Sequence, residues 1–386
     1  MYIVTNFNSK TFLKEYWQKK PCLIKQFVPG FIDPIDEHDL AGLAQESDID
    51  SRIVSNKNGN WQVTQGPFEN FESVCKGNWS LLVQGVDRYI SEVDVLSKLV
   101  NFVPNWRFDD VMVSYSTENA GVGAHTDEYD VFIVQGKGSR RWQVGLPSDS
   151  RTIIPHPLLK QIEGFEAVID EVLAPGDAIY IPPKHPHSGL ALEACLNYSL
   201  GFRAPTNLEV LTGLLDESDN INAGETRYTD ANICTLRESC LSPMAVSVQE
   251  LDNLKIGMVD LLNSPQGDEA MLRYLSRQGL VLEQELPQYS FDEIQSVLDE
   301  GHELVKLSGL KPIFRNAQTQ LGIFSFFIDG NVFDVDEILC EQIIASFEDD
   351  SISGYPATLV GKESEKTSWA RLITQLVNAG YWYEVD

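Results

Sequence analysis

Short apolar runs, separated by turns that contain Gly and Pro, dominate residues 107–205. Runs of this length and spacing predict the β-strands of a sandwich or barrel. The predicted strands are residues 111–116, 131–135, 140–144, 166–170, 178–181 and 195–202. We expect Gly136-Lys-Gly138 to close a hairpin between the second and third of them. Repeated short strands with Gly and Pro turns are typical of a double-stranded β-helix, which is a variant of the jelly roll.

Helical and strand patterns also precede this region. Aromatic and aliphatic residues recur with helical period near the N-terminus, so we expect Ser9 to cap a helix that runs to about Lys20. Asp36 is expected to cap a second helix. Asn58-Gly59 lies between two strand-like segments and therefore predicts a β-hairpin.

The pattern changes after Pro205. Residues 206–286 carry apolar positions at helical spacing, among them Leu251, Leu254 and Met258, which predicts a helical module. Residues 287–386 alternate between the two patterns. There we predict helices at 291–300, 335–347 and 367–379, and strands at 303–307, 312–315 and 323–328. The sequence thus predicts an α+β protein with domains at 1–205, 206–286 and 287–386.

The composition is that of a globular protein. The 386 residues are 43% hydrophobic and 22% charged, and no apolar run is long enough to span a bilayer. The N-terminus lacks the basic and apolar segments of a signal peptide. The six cysteines form no Cys-x-x-Cys pairs, which favours reduced thiols over a disulfide framework or a zinc site. We therefore expect a cytoplasmic protein that does not contact membranes.

The net charge of −28 narrows the choice of partners. A field of this sign repels nucleic-acid phosphates and attracts basic proteins. From residue 286 to the C-terminus, 6 Lys and Arg stand against 17 Asp and Glu, so we expect no nucleic acid binding there either. The charge indicates either a strongly basic partner or simply a chain adapted for solubility.

One imidazole and one carboxylate stand together just before an apolar run. His125 and Asp127 are two residues apart, and residues i and i+2 of an extended strand point to the same face. Two histidines and one carboxylate form the facial triad that binds non-haem Fe(II) and leaves coordination positions open. The best candidate for the second histidine is His187, which follows the turn Pro175-Gly-Asp177 and an apolar strand.

Two of these ligands have a neighbouring alternative. Asp130 lies three residues after Asp127 and would point to the opposite face of a regular strand. His185 shares the strand parity of His187, so spacing alone does not separate the two histidines.

The pattern as a whole resembles a known family. The His-x-Asp block, the Pro-Gly-Asp turn and the late histidine resemble the JmjC-type 2-oxoglutarate oxygenases, and within them the bacterial ribosomal-oxygenase group, which hydroxylate an arginine of a large-subunit ribosomal protein. The resemblance extends to residues 31–35, 78–84, 129–133 and 197–205. It implies a cupin (JmjC) jelly roll, a helical dimerisation module that forms a homodimer, and a winged-helix-like C-terminal domain. It also implies His187, not His185, as the third ligand.

The resemblance implies Fe(II) as the metal and 2-oxoglutarate and O2 as cosubstrates. The distal carboxylate of 2-oxoglutarate requires a cation, and Arg binds a carboxylate bidentately while staying charged. Arg140 shares a strand face with Trp142, whereas Arg141 shares one with Gln143, so Arg140 is expected to point inward. The motif of the family places its cosubstrate arginine here too.

Further contacts with small molecule and substrate are less specific. Ser114 and Asn197 lie on flanking strands, where they either touch the cosubstrate or satisfy neighbouring backbone groups. An arginine substrate favours carboxylates and aromatic walls. Five residues close in sequence to the site qualify as candidates or as a solvated rim: Tyr115, Glu118, Glu128, Tyr129 and Asp130.

These expectations combine into one function and two alternatives. The sequence predicts an Fe(II)- and 2-oxoglutarate-dependent dioxygenase, and the resemblance implies that it hydroxylates an arginine of a basic large-subunit ribosomal protein. One alternative is a related oxygenase that acts on histidine or methyl-lysine. The other is a cupin binding protein without catalysis, in which His125, Asp127, His187 and Arg140 would have no reason to occur together.

Overall fold

The computed structural model describes residues 3–4, 6–217, 227–231, 233–234, 242, 244–282, 288–315 and 322–384. The chain forms two compact units. The first contains the chain up to Ala204 together with Leu307–Gly309, and the second contains Pro205–Lys306 and the chain from Leu310 onwards. The division of the second unit into a dimerisation module and a winged-helix-like domain stays a prediction.

The first unit contains four α-helices and fourteen strands among its described residues. The helices are α1 (Ser9–Glu15), α2 (Glu37–Leu43), α3 (Phe71–Val74) and α4 (Ser91–Asp94). The strands are β1 (Ile3–Val4), β2 (Cys22–Ile24), β3 (Ser51–Lys57), β4 (Asn60–Gln65), β5 (Asn78–Val83), β6 (Phe108–Ser116), β7 (Val131–Gln135), β8 (Arg140–Gly145), β9 (Thr152–His156), β10 (Leu159–Ile162), β11 (Ala167–Leu173), β12 (Ala178–Ile181), β13 (His187–Ala191) and β14 (Cys195–Phe202).

Two sheets with a shared core account for the predicted jelly roll. The larger sheet has the strand order β1-β2-β12-β7-β14-β6-β5-β3-β4, and the smaller one has the order β11-β8-β13. Ile133 and Ile179 of the larger sheet pack with Val144 and Ile169 of the smaller sheet in one buried cluster. Two sheets that bury their facing sides against each other form a sandwich of the cupin type.

The larger sheet is buried on its other face as well. Phe132, Val134 and Tyr180 point away from the smaller sheet and pack with Phe12 of α1 and Leu40 of α2. Because both faces of β7 and β12 are covered, these strands are continuously apolar instead of alternating.

The predicted hairpin between β7 and β8 is wrong. The two strands belong to different sheets, where β7 pairs with β12 and β14, and β8 pairs with β11 and β13. The Gly136–Gly138 connection instead crosses between the sheets, and Gly136 N donates to the carbonyl of Leu196 at 2.9 Å. A continuously apolar strand carries no signal for its partner, so the glycine turn was read as a hairpin.

The N-terminal predictions had a mixed outcome. Helix α1 is capped by Asn8, whose side chain accepts from Thr11 N, and it ends at Glu15 instead of Lys20. Gln18 has a φ of 55° and donates its N–H to the hydroxyl of Tyr180, which turns the chain out of the helix. The cap at Asp36 and the hairpin at Asn58-Gly59 are confirmed.

The second unit contains helices α5 (Asn207–Asp216), α6 (Val248–Leu262), α7 (Pro265–Ser276), α8 (Phe291–Glu300), α9 (Cys340–Glu348) and α10 (Glu363–Asn378). Its strands are β15 (Glu303–Lys306), β16 (Ile313–Phe314), β17 (Ile323–Ile328), β18 (Asn331–Asp336), β19 (Ser351–Ser353) and β20 (Trp382–Glu384). Within the described ranges, every helix is too short or too polar to cross a bilayer.

One predicted helix of the second unit begins later than expected. Val335 lies in β18, and the helix that was predicted from there begins at Cys340. Asp329 and Gly330 have φ values of 46° and 82°, so they form the tight turn of a hairpin between β17 and β18. The helix α8 and the strand β17 have the predicted bounds.

Candidate active site

Three side chains converge where the loop after β6 meets the start of β13. His125 and His187 exchange two backbone hydrogen bonds, 3.0 Å and 2.9 Å long, which fix the two histidines side by side. Asp127 follows two residues later, and its carbonyl accepts from Lys184 N at 2.6 Å. The backbone therefore places both segments before any metal is considered.

The ligand atoms of these side chains face one another. Asp127 Oδ2 lies 3.8 Å from His125 Nε2 and 3.4 Å from His187 Nε2, and the ligand atoms of all three residues lie within 4.8 Å of one another. Each Nδ1 atom contacts a backbone carbonyl, that of Gly123 at 3.0 Å and that of His185 at 2.9 Å. A carbonyl only accepts, so each Nδ1 carries the proton and each Nε2 presents a lone pair.

The charge states also suit a divalent metal. Burial, together with the nearby His187, lowers the pKa of His125 to about 4, so its imidazole is neutral at pH 7. Burial acts to raise the pKa of Asp127, but its close polar contacts with His187 and His125 outweigh burial and hold that pKa below its usual range. Neutral imidazoles and an ionised carboxylate are the forms that bind metal.

The alternative ligands lie elsewhere. Asp130 is fully buried and accepts from Tyr180, Arg107 and Gln18, so it satisfies a structural network. His185 lies outside the cluster, and its Nδ1 contacts the carbonyl of Pro183 at 3.0 Å.

Arg140 is a buried cation in the same cavity. Its side chain is 5% exposed, and it donates to Asn197 Oδ1 at 2.8 Å and to the carbonyl of Gly189 at 3.3 Å. Its Nε is buried without an acceptor, and no carboxylate of the described residues pairs with it. Burial lowers the pKa of this guanidinium. A buried cation without a counter-charge is costly, so the position suits an anionic ligand.

The predicted cosubstrate residues line one cavity with the triad. The cavity has a volume of about 300 Å³ and is lined by the three triad residues together with Arg140, Ser114 and Asn197. Of Ser114 and Asn197, Asn197 has the clearer role, because both ends of its amide are hydrogen-bonded. Its Oδ1 accepts from Arg140, and its Nδ2 donates to Gln135 at 2.7 Å, which fixes the direction of the amide.

Comparison with known proteins decides the family. The family model described as the JmjC domain matches residues 95–210. The chain is 38% identical over 385 residues to the ribosomal protein uL16 3-hydroxylase of Escherichia coli, with 97% of each chain covered. The chain belongs to the JmjC-type ribosomal oxygenases.

Other ribosomal oxygenases agree. The probable ribosomal oxygenase of Haemophilus influenzae is 39% identical over 208 residues, which are 53% of this chain and 51% of the relative. The X-ray structure of Escherichia coli YcfD matches with a TM-score of 0.86, 37% identity and complete coverage of both chains. The structure of YcfD in complex with cobalt and 2-oxoglutarate matches with a TM-score of 0.85 and 37% identity over 99% of each chain.

Sequence reasoning missed the carboxylates of this ribosomal oxygenase cavity. Asp109 and Asp110 line it, and Asp110 is 8% exposed. Burial, with the charges of Asp109 and Asp87 as smaller causes, raises the pKa of Asp110 to about 7. The signal was available, because Asp110, Met112 and Ser114 alternate along β6 and therefore share a face.

Of the predicted rim residues, only Tyr129 lines the cavity. It is 44% exposed, and burial of its hydroxyl raises its pKa. Tyr115 packs against Trp79, with ring centroids 5.5 Å apart. Glu128 is exposed to solvent, and its Oε2 lies 3.6 Å from Lys184 Nζ. Glu118 is also exposed. Nearness in sequence was therefore a poor guide, since the loop around Asp127 sends neighbouring side chains in different directions.

Proposed function

We propose that this chain hydroxylates an arginine side chain of a basic large-subunit ribosomal protein, with Fe(II), 2-oxoglutarate and O2. One oxygen atom of O2 enters a C–H bond of the arginine, and the other enters succinate as 2-oxoglutarate loses CO2. The observation that carries the proposal is a single cavity that holds the triad, an unpaired buried arginine and a buried carboxylate. A ribosomal substrate places the activity in the cytoplasm.

The chain's own residues prepare the reaction in separate ways. His125, Asp127 and His187 would hold Fe(II), which supplies the activation of O2 when 2-oxoglutarate is present. Arg140, held in place by Asn197, would bind the distal carboxylate of 2-oxoglutarate. The preset histidine tautomers mean that no proton has to leave the imidazoles when metal binds.

The acidic side of the cavity supports arginine as the target. Asp110 accepts a hydrogen bond from Gly85 N at 2.8 Å, and the buried carboxylate still has capacity for a second donor. A guanidinium stays charged when buried and offers parallel N–H donors to a carboxylate. The ring of Tyr129 adds an aromatic surface of the kind that guanidinium groups stack on.

The test is mass spectrometry of ribosomal proteins from cells with and without this protein. Purified protein, Fe(II), ascorbate and 2-oxoglutarate are added to the unmodified sample. We expect a mass gain of one oxygen on a single arginine, which His187→Ala abolishes and the exposed-site control His38→Ala retains. Turnover of 2-oxoglutarate with a gain on histidine or loss of a lysine methyl group would support the related oxygenases. A metal-loaded protein without turnover would support a cupin binding protein.

We also propose that the chain forms a homodimer through its second unit. None of the residues of α6 is buried, even though many of them are apolar. Val248, Leu254 and Met258 are 76%, 48% and 58% exposed, respectively. Apolar surface in such quantity marks an interface in soluble proteins. Light scattering should give twice the chain mass for the wild type and a monomer for Leu254→Asp/Met258→Asp. A monomeric wild type would refute the proposal.

A further inference from the structure

A second cavity lies wholly in the second unit. Its volume is about 400 Å³, which is within the range of specific ligand sites. Helix α9 forms one wall, β19 and the following turn to Thr358 form another, and Trp369 of α10 lines the interior. The cavity shares no residue with the catalytic site, and the proposed hydroxylation makes no use of it.

Two buried polar atoms of this cavity have no partner. Trp369 is 1% exposed, and its indole N–H has no acceptor. Gln342 donates from Nε2 to Thr358 Oγ1 at 3.0 Å, but its buried Oε1 has no donor. Most buried polar groups in native proteins are hydrogen-bonded, so an unpaired donor and an unpaired acceptor on lining residues of one cavity indicate a ligand that supplies both partners. A peptide unit does so, because it has one N–H and one C=O.

The charge of the cavity sets the kind of peptide. Glu341 lies in α9, Asp349 directly follows the end of that helix, and both are exposed at the cavity. The lining residues, all of them described, include no Lys, Arg or His. Lys366 lies near the aromatic wall, 5.2 Å from the ring centroid of Tyr355, and it is already 3.6 Å from Glu363. The carboxylates of Glu341 and Asp349 therefore remain available to a cationic group of a ligand.

We propose that this cavity binds an arginine-bearing segment of a basic protein. The peptide backbone satisfies Trp369 and Gln342, and the guanidinium lies between Glu341 and Asp349. Phosphate-bearing partners are disfavoured, because the two carboxylates repel an anion. The site thus gives the C-terminal region a protein-binding role, which agrees with its excess of acidic residues.

The test uses the full chain labelled with ¹⁵N at its seven tryptophans. The probe is a short acetylated and amidated peptide of alternating arginine and glycine, and its control has citrulline in place of arginine. We expect the arginine peptide to shift the indole N–H signal of Trp369, which is identified by its loss in Trp369→Phe. Removing the positive charge should weaken binding by about tenfold, as measured by calorimetry.

A matched pair of variants separates the site from general attraction to an acidic protein. Glu341→Gln/Asp349→Asn should weaken binding of the arginine peptide by about tenfold. Glu337→Gln/Glu348→Gln removes the same charge from exposed neighbours outside the cavity and should change it less than about twofold. Equal weakening by both pairs, or an unmoved Trp369 signal, would overturn the proposal. His187→Ala should bind like wild type, so a failed hydroxylation assay and a failed docking site are distinguishable.

Discussion

Arg140 and Asp110 are buried residues of opposite charge at two ends of one cavity. We call them the cationic end (Arg140) and the acidic end (Asp110). Asn197, which accepts from Arg140, pairs in register with Ser114 of β6, and Asp110 lies four residues before Ser114 on the same face. At about 3.3 Å per residue, these two ends of the strand face are about 13 Å apart. Both charges lack an ion-pair partner among the described residues, so each end is suited to a ligand of opposite sign.

Arg140 and Asp110 also differ from a buried charge of the same unit that does have an ion-pair partner. Asp130 is as buried as either of them, yet Arg107 Nη2 lies 3.1 Å from its carboxylate, and Tyr180 and Gln18 donate to it. The fold thus pairs buried charge where the charge is structural. An unpaired buried charge destabilises the free protein, and the ligand that pairs with it recovers that free energy on binding.

The largest effect is expected at the cationic end. Arg140→Met should weaken 2-oxoglutarate binding by roughly 10²- to 10³-fold, because the distal carboxylate loses the buried guanidinium expected to pair with it. Without 2-oxoglutarate the variant should be as stable as wild type or more stable, since the buried uncompensated charge is gone. Calorimetric binding and thermal melts with and without 2-oxoglutarate measure both. A variant that melts earlier without ligand, yet binds 2-oxoglutarate normally, would make Arg140 a structural residue.

At the acidic end, Asp110→Asn should reduce kcat/KM for the arginine substrate by roughly 50-fold, because a charge-assisted hydrogen bond to the guanidinium is lost. The affinity for 2-oxoglutarate should stay unchanged, since that ligand binds at the other end. Steady-state kinetics with each substrate varied in turn separate the two constants. If both constants change together, the two ends are not independent.

The same carboxylate should make stability depend on pH. The folded-state pKa of Asp110, about 7, is above the ordinary value for aspartate, so folding favours the protonated form. Its contribution is complete below about pH 4 and is lost as the pH rises through 7, which amounts to about 2 kcal/mol between pH 5 and pH 7. Urea unfolding of wild type and Asp110→Asn at both pH values measures it. Identical pH slopes in the two proteins would exclude Asp110 as the cause.

The sequence predicted this site unevenly, for physical reasons. His125, Asp127 and Arg140 follow local rules, because strand parity and the apolar face are visible within a few residues, whereas His187 was separated from His185 only by the resemblance to the family. Asp110 obeys the same parity, but the predicted strand began at Val111 and so excluded it. The Asp329-Gly330 turn is likewise a local signal that was overlooked. The partner strands of β7 are different in kind, since sheet pairing is a long-range property that a continuously apolar, buried strand does not encode.

Arg141 provides the control for Arg140, and its replacement should have the smallest effect on 2-oxoglutarate binding. It is next to Arg140 in sequence, but it points outward and forms two hydrogen bonds of 2.6 Å with Asp170. Exposed ion pairs of this kind contribute little, because solvent screens them and ordering the side chains costs entropy. Arg141→Gln should therefore leave the affinity for 2-oxoglutarate and the midpoint of thermal unfolding unchanged in the assays used for Arg140→Met. The two variants remove the same charge from neighbouring residues of β8. Any difference between them in 2-oxoglutarate affinity therefore arises from the direction of the side chain and not from the net charge of the protein. If Arg141→Gln weakened 2-oxoglutarate binding as much as Arg140→Met does, the cavity would be sensing the overall field of the protein, and the assignment of its cationic end to one guanidinium would be wrong.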